Sequence, residues 1–200
     1  AKGRGPFTTA QANERFGLVQ DVERGFTDHL WDEPWQTDTC IGDWFYNVAR
    51  LHDKSYKSAK DVIQRLADVV SKNGNLLLSI PQPGAGSIDS EEEKILDALA
   101  GWMAINGEAI FGSRPWRRYG EGPTKLAAGM QNEQSAKPFT PRDVRFTVNR
   151  GALYALFLGW PEGPATITSF ARERWPHGAI ERVTFELGPT DGPGDHEPAD

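Results

Sequence analysis

The chain has 200 residues, 38% hydrophobic and 25% charged, enough to bury the core of one or two globular domains. Its 28 acidic against 22 basic side chains leave a net charge of -6, which repels a phosphate backbone and argues against nucleic acid as a partner. A lone cysteine, Cys40, excludes an internal disulfide and a thiolate-rich metal site, and no apolar run approaches the roughly 18 residues of a membrane-spanning helix.

The opening "AKGRGPFTTA" is polar, lacks the apolar stretch of a signal peptide, and starts at Ala1 in place of methionine, as a processed or truncated beginning does. Residues 16–25, "FGLVQDVERG", read as a short strand between Gly17 and Gly25. Alternation along it would put Asp21 and Glu23 on one side and Val22 on the other. After the loop "FTDHLWDEP", the segment "QTDTC" reads as a second short strand. A helix then opens at Ser58, where Asp61 three residues on completes a capping box. Val62, Ile63, Leu66, Val69 and Val70 share its apolar face, and Gly74 is expected to end it in the left-handed conformation. The next run, "NLLLSI", has the continuous apolar character of a strand covered on both faces. Beyond the breaker-rich "PQPGAGS", Asp89 and Glu92 open a second helix with Ile95, Leu96, Leu99, Trp102 and Met103 as its buried stripe and Gly107 at its end.

From about residue 113 the pattern becomes all-β: "VRFTVNRGALYALFLGW" is a hairpin turning at "NRG", and "ATITSF" and "IERVTFEL" read as further strands. The last dozen residues are Pro, Gly and Asp with little to bury, the composition of a disordered tail. Strand and helix alternating in the first half imply an α/β fold with a parallel sheet, either doubly wound or a (β/α) barrel. An eight-stranded barrel takes roughly 250 residues, so as a barrel this chain holds only the closing portion, followed by a partial antiparallel β-sandwich module. The expected division is 1–116 for the barrel part, 117–188 for the sandwich part and 189–200 for the tail.

Two stretches carry chemistry. In "DVERG" the plain structural reading is a solvated or Arg24-paired carboxylate. The functional reading is Glu23 at the C-terminal end of a parallel strand, where barrel enzymes keep catalytic groups and where an apolar setting raises a carboxyl's pKa for general-acid work. In "PWQTDTCIGDWFYN", residues 34–47, rings alternate with short neutral hydrogen-bonding side chains. Trp35 is expected in the core, but the set as a whole matches the apolar faces and hydroxyl belt of a sugar. His29, His52, His177 and His196 are scattered without zinc spacing, and no dinucleotide fingerprint, P-loop or G-x-S-x-G is present, so no metal or cofactor is expected.

"DVERGF", "PWQTDTCIGDWFYN", "YKSAKDVIQRLADVVSKNGNLLLSIP" and "WMAINGEAIFGSRPW", in this order, resemble the latter half of the catalytic domain of the alpha-L-fucosidases of glycoside hydrolase family 29. The likeness runs from about residue 16 to 116, and "GALYALFLGWP" resembles the start of that family's C-terminal β-sandwich. The resemblance implies removal of terminal alpha-linked L-fucose from a glycan or fucoside, without nucleic acid or membrane partners, and favours a secreted or periplasmic setting. It implies a retaining mechanism, with a nucleophile and an acid/base roughly 5 to 5.5 Å apart. The family's nucleophile precedes the matched region, so another chain completing the barrel is an expected partner. Glu23 is the best match to the acid/base. Under the second alignment, onto the family's Asn-Asp-Arg motif, Arg24 matches a sugar-binding arginine and Glu23 lies beside it. Asp38 and Trp44 complete the expected sugar-binding set, Trp44 against the fucose ring and its methyl. Gln36 stands where many members carry glutamate, and its amide cannot donate a proton as a carboxylic acid does.

Overall fold

The computed structural model describes residues 19–170. Three strands, β1 (Gln20–Asp21), β2 (Trp35–Cys40) and β3 (Gly74–Ser79), form a parallel sheet in the order β1-β2-β3. Between β2 and β3 run a short helix α1 (Val48–Asp53) and the crossover helix α2 (Ala59–Ser71). Ser58 and Asp61 cap α2 reciprocally, as expected from the sequence. On β2 the side chains of Trp35, Thr37 and Thr39 are fully buried, while Gln36 and Asp38 point to the other, half-open face. Trp35 packs with Val22 and Val69 under a rim of Trp31 and Leu76, and its indole N–H donates to the Lys72 carbonyl at 2.9 Å. No described helix is long and apolar enough to cross a membrane.

Four expectations change here. The strand through "DVERG" stops at Asp21: Glu23 and Arg24 lie in a turn, so Asp21 and Glu23 do not share a strand face, and residues 16–18 lie outside the described residues. The left-handed residue after α2 is Asn73 (φ 72), not Gly74. Gly74 is needed for a different reason, because a Cβ there would meet Trp35 Cε2 at 2.6 Å. "NLLLSI" is not covered on both faces: Leu77, opposite Asp38 in the register, is 53% exposed, and β3 is the last strand of the sheet among the described residues. Helix α3 (Ser90–Asn106) is capped by Asp89 and Glu92 as expected, yet Ile95, Leu96, Leu99, Trp102 and Met103 are only half-buried, and Glu92 is its one buried side chain.

The second sheet is antiparallel, β4 (Arg114–Glu121), β5 (Val144–Asn149) and β6 (Ala152–Phe157), in the order β4-β5-β6. Arg150 (φ 48) and Gly151 (φ 83) make the two-residue turn of the β5–β6 hairpin. Its core is Trp116, Val144 and Phe146, with Val148, Leu153, Phe157 and Phe170 packed around them. Strand β4 was hidden in the sequence by "RPWRRYGE", where three arginines and a break in register between Pro115 and Gly120 blur the alternation. "ATITSF" is not a strand. It ends in a 3-10 turn, Thr168–Phe170, because the Glu121 carboxylate accepts the N–H groups of Thr168 and Ser169, both at 2.7 Å. "IERVTFEL" and the 189–200 tail lie outside the described residues.

Asp143 ties the segment before β5 together: its fully buried carboxylate accepts both the N–H and the hydroxyl of Thr124 and of Thr140 at 2.7–2.9 Å. Burial opposes the charge, but these bonds outweigh it and hold the Asp143 carboxyl below the ordinary aspartate value. A carboxyl depressed in the folded state stabilises above its unfolded pKa, and that share is lost as pH falls through the folded value. Asp143→Ala is therefore expected to cost about 2–3 kcal/mol at neutral pH. Urea unfolding checks this, and the gap between variant and parent should close as the titration is repeated toward acid pH.

Candidate functional site

The C-terminal ends of β1 and β2 meet in a turn and a loop. The ladder continues one residue past β1, where the Val22 N–H donates to the Gln36 carbonyl at 2.8 Å, and the chain then folds back with the Gly25 N–H on the Val22 carbonyl at 3.2 Å. This turn puts Arg24 at φ 45, a left-handed conformation that costs a non-glycine residue about 1–3 kcal/mol unless its surroundings hold it. They do: the Arg24 N–H donates to Asp38 Oδ1 at 2.9 Å, and the Arg24 carbonyl accepts the Glu133 N–H at 3.1 Å. Arg24 and Asp38 are thus in direct contact. Glu23 is half-buried on the same turn, its carbonyl accepting the Gln131 N–H at 2.8 Å, and among the described residues its carboxylate takes no hydrogen bond.

Above the end of β2 one carboxylate gathers three cations. Glu133 Oε1 accepts the Thr39 hydroxyl at 2.6 Å and lies 3.3 Å from both Lys57 Nζ and an Arg65 terminal nitrogen, while Oε2 accepts from Arg24 Nε at 3.2 Å. Lys57 also donates to the Cys40 carbonyl at 2.6 Å and to the Thr39 hydroxyl at 3.1 Å. Burial works against the charge on Glu133, but the Thr39 bond, Arg65 and Lys57 prevail and hold its carboxyl below the usual glutamate range. It is ionised at neutral pH and unsuited to donating a proton. The Cys40 thiol nearby is buried, and that burial pushes its pKa up and favours the protonated form.

The aromatic loop after β2 is braced from beneath. Arg50 clamps Asp43 through two nitrogens at 2.9 and 3.3 Å, Asn47 Nδ2 donates to the same carboxylate at 2.9 Å, and Asn47 Oδ1 caps α1 through the Ala49 N–H. Gly42 lies flat on the Tyr56 ring, where a Cβ would sit 2.9 Å from it. The Tyr56 hydroxyl donates to Asp89 Oδ2 at 2.6 Å, and burial together with that carboxylate raises its pKa well above the ordinary phenol value. On this frame Trp44 is 39% and Phe45 86% exposed, whereas Trp35 has no exposed surface. One tryptophan of the motif is core and the other is open to solvent. Among the described residues no group of three or more His, Cys, Asp or Glu is arranged to hold a metal ion.

Of the residues singled out in the sequence, the structure joins Arg24 to Asp38 and puts Glu23 on the adjoining turn. Trp44 lies past the C-terminal end of the neighbouring strand, but no hydrogen bond or ring contact links it to those three among the described residues. Glu133, Lys57 and Arg65 went unrecognised. Arg65 carried a faint signal, being a charged residue on the apolar side of α2 three places from Val62. Glu133 carried none, because it lies 109 residues from Arg24 in a segment without strand or helix periodicity.

The family model for alpha-L-fucosidase matches residues 7–108, just over half of the chain. Human tissue alpha-L-fucosidase is 33% identical over 134 residues, which cover 66% of this chain and 25% of that protein. Human plasma alpha-L-fucosidase is 30% identical over 167 residues, 76% of this chain and 32% of that one. The crystal structure of Thermotoga maritima alpha-fucosidase aligns with a TM-score of 0.54 at 28% identity, over 74% of this chain and 32% of its own. The chain spans about a quarter to a third of the length of these relatives. On the motifs, the matched span and the shared α/β fold, it belongs to the alpha-L-fucosidase family.

Proposed function

We propose that this chain is the C-terminal part of a retaining alpha-L-fucosidase, which removes terminal alpha-linked L-fucose from a glycan or fucoside. The observation that carries the reading is its membership of the family over residues 7–108. In this reading residues 1–116 are the closing portion of a (β/α) barrel, and residues 117–188 belong to a β-sandwich. Two features that have no partner among the described residues favour completion by further strands: the outer edge of β3 and the exposed Leu77 on the Asp38 face. Those strands, from the same protein or from another chain, would bring the nucleophile. Glu23 acts as acid/base, or, under the alternative alignment, Arg24 binds the sugar with Glu23 beside it. Asp38 fixes the Arg24 turn, and Trp44 offers its open ring to the apolar face and methyl of the fucose.

A second reading is a sugar-binding piece without catalysis, and the open Trp44 ring on its braced loop is the observation that favours it. Titrating L-fucose while following tryptophan fluorescence, alongside release of the aryl group from an aryl alpha-L-fucoside, both with the completing strands present, separates the two. Binding with hydrolysis supports the enzyme, binding alone supports the sugar-binding piece, and the lack of both removes both. Trp44→Ala is expected to weaken L-fucose binding about tenfold, the scale of losing one aromatic anchor. If hydrolysis occurs, unchanged turnover in Glu23→Gln removes Glu23 from the acid/base role.

A further inference from the structure

Residues 129–133, which belong to the segment between β4 and β5, lie across the turn that follows β1. Phe26 and Gly129 exchange both backbone hydrogen bonds, at 3.2 and 3.0 Å, the Gln131 N–H reaches the Glu23 carbonyl, and the Glu133 N–H reaches the Arg24 carbonyl. The strap ends in the Glu133 carboxylate, which takes Arg24 Nε at 3.2 Å. Arg24 is therefore gripped at three points: N–H by Asp38, carbonyl by the Glu133 backbone, and guanidinium by the Glu133 side chain. Only Nε of the guanidinium is so used, and among the described residues its two terminal nitrogens make no hydrogen bond, so they stay available to a ligand. Lys57, Arg65 and Thr39 hold Glu133 itself in place from the β2 and α2 side. A left-handed arginine without this grip has no reason to keep its conformation.

We infer that Glu133 is a positioning residue of the fucoside site, which fixes the Glu23–Arg24 turn from the antiparallel module. The inference rests on the sugar-site reading above and extends it to a residue outside the matched family span of residues 7–108. Glu133 touches no substrate in this role. It sets where the side chains of Glu23 and Arg24 emerge, whichever of them meets the sugar.

The test uses the full chain labelled with 15N, with Glu133→Ala and Glu133→Gln as variants and Arg24→Lys to identify the Arg24 Nε–H resonance by its loss. The parent should show a distinct, slowly exchanging Arg24 signal. Glu133→Ala should lose that signal and weaken L-fucose binding about 10-fold to 100-fold, the equivalent of one hydrogen bond to a charged group. Glu133→Gln, which keeps an acceptor oxygen without the charge, should restore part of both while leaving the Trp116–Phe146 core signals unmoved. An unchanged Arg24 signal and unchanged L-fucose affinity in Glu133→Ala overturn the positioning role and leave the sugar site standing. A parent protein that binds no L-fucose with the completing strands present, yet loses the Arg24 signal in Glu133→Ala, overturns the fucoside reading while sustaining the grip of Glu133 on the turn.

Discussion

Asp68→Ala is expected to lower the unfolding free energy by about 3–5 kcal/mol, the cost of removing one member of a buried ionic group. Asp68 projects from α2 with its side chain 1% exposed, one oxygen 2.8 Å from Lys72 Nζ and the other 2.7 Å from Arg145 Nε on β5. Lys72 also donates to the Thr27 carbonyl at 2.7 Å and lies over the Tyr119 ring, which Arg145 approaches from the β5 side. The parallel and antiparallel sheets are thus stapled by one carboxylate between two buried cations. Burial already pushes the Lys72 ammonium below its ordinary value against the pull of Asp68, and without Asp68 it should fall further. A lysine whose folded pKa is depressed penalises folding below that pKa, and the penalty fades as pH rises toward the unfolded value. Equilibrium urea unfolding measures the loss. It should shrink at alkaline pH, and replacing Lys72 by Met in the same chain should recover part of it. A loss under about 1 kcal/mol would mean that water reaches the cations.

The second large effect is expected at Gly25, where nothing about φ demands glycine. A Cβ at this position would lie 1.9 Å from the Gly129 carbonyl oxygen and 2.9 Å from Met130 Cα. Both are backbone atoms, so no rotamer relieves the clash and the strap must lift from the turn. Gly25→Ala should cost about 3 kcal/mol, the upper end of overpacking, and weaken L-fucose binding along with Glu133→Ala because the same grip on Arg24 is lost. Gly84→Ala is the control, since its Cβ would meet nothing within 4 Å and its effect should stay within about 0.5 kcal/mol. Thermal unfolding of the two variants decides it, and equal melting points would refute a close-packed strap.

The features legible in the sequence were those written in neighbouring residues. Ser58 with Asp61, and Asp89 with Glu92, announce helix starts because each carboxylate bonds a backbone N–H three residues back. Arg150 and Gly151 sit where the hairpin signal puts the turn, and Trp35 sits in the core on the alternation of β2. The family, too, was legible, because its ordered motifs survive in one chain.

The helix starts, the hairpin turn and the strand-helix-strand-helix order of residues 35–106 were thus determined by sequence alone, the capping and turn signals through interactions that span four residues or fewer. Only the tertiary structure decided that Glu133 grips Arg24, that Gly74 is small for the sake of Trp35, and that Leu77 lies open beside Asp38. The physical reason is range. An ion cluster drawn from α2, the turn after β1 and the two segments that carry Lys57 and Glu133 leaves no period in any one segment, and the exposure of a strand face depends on which other strands are there to cover it.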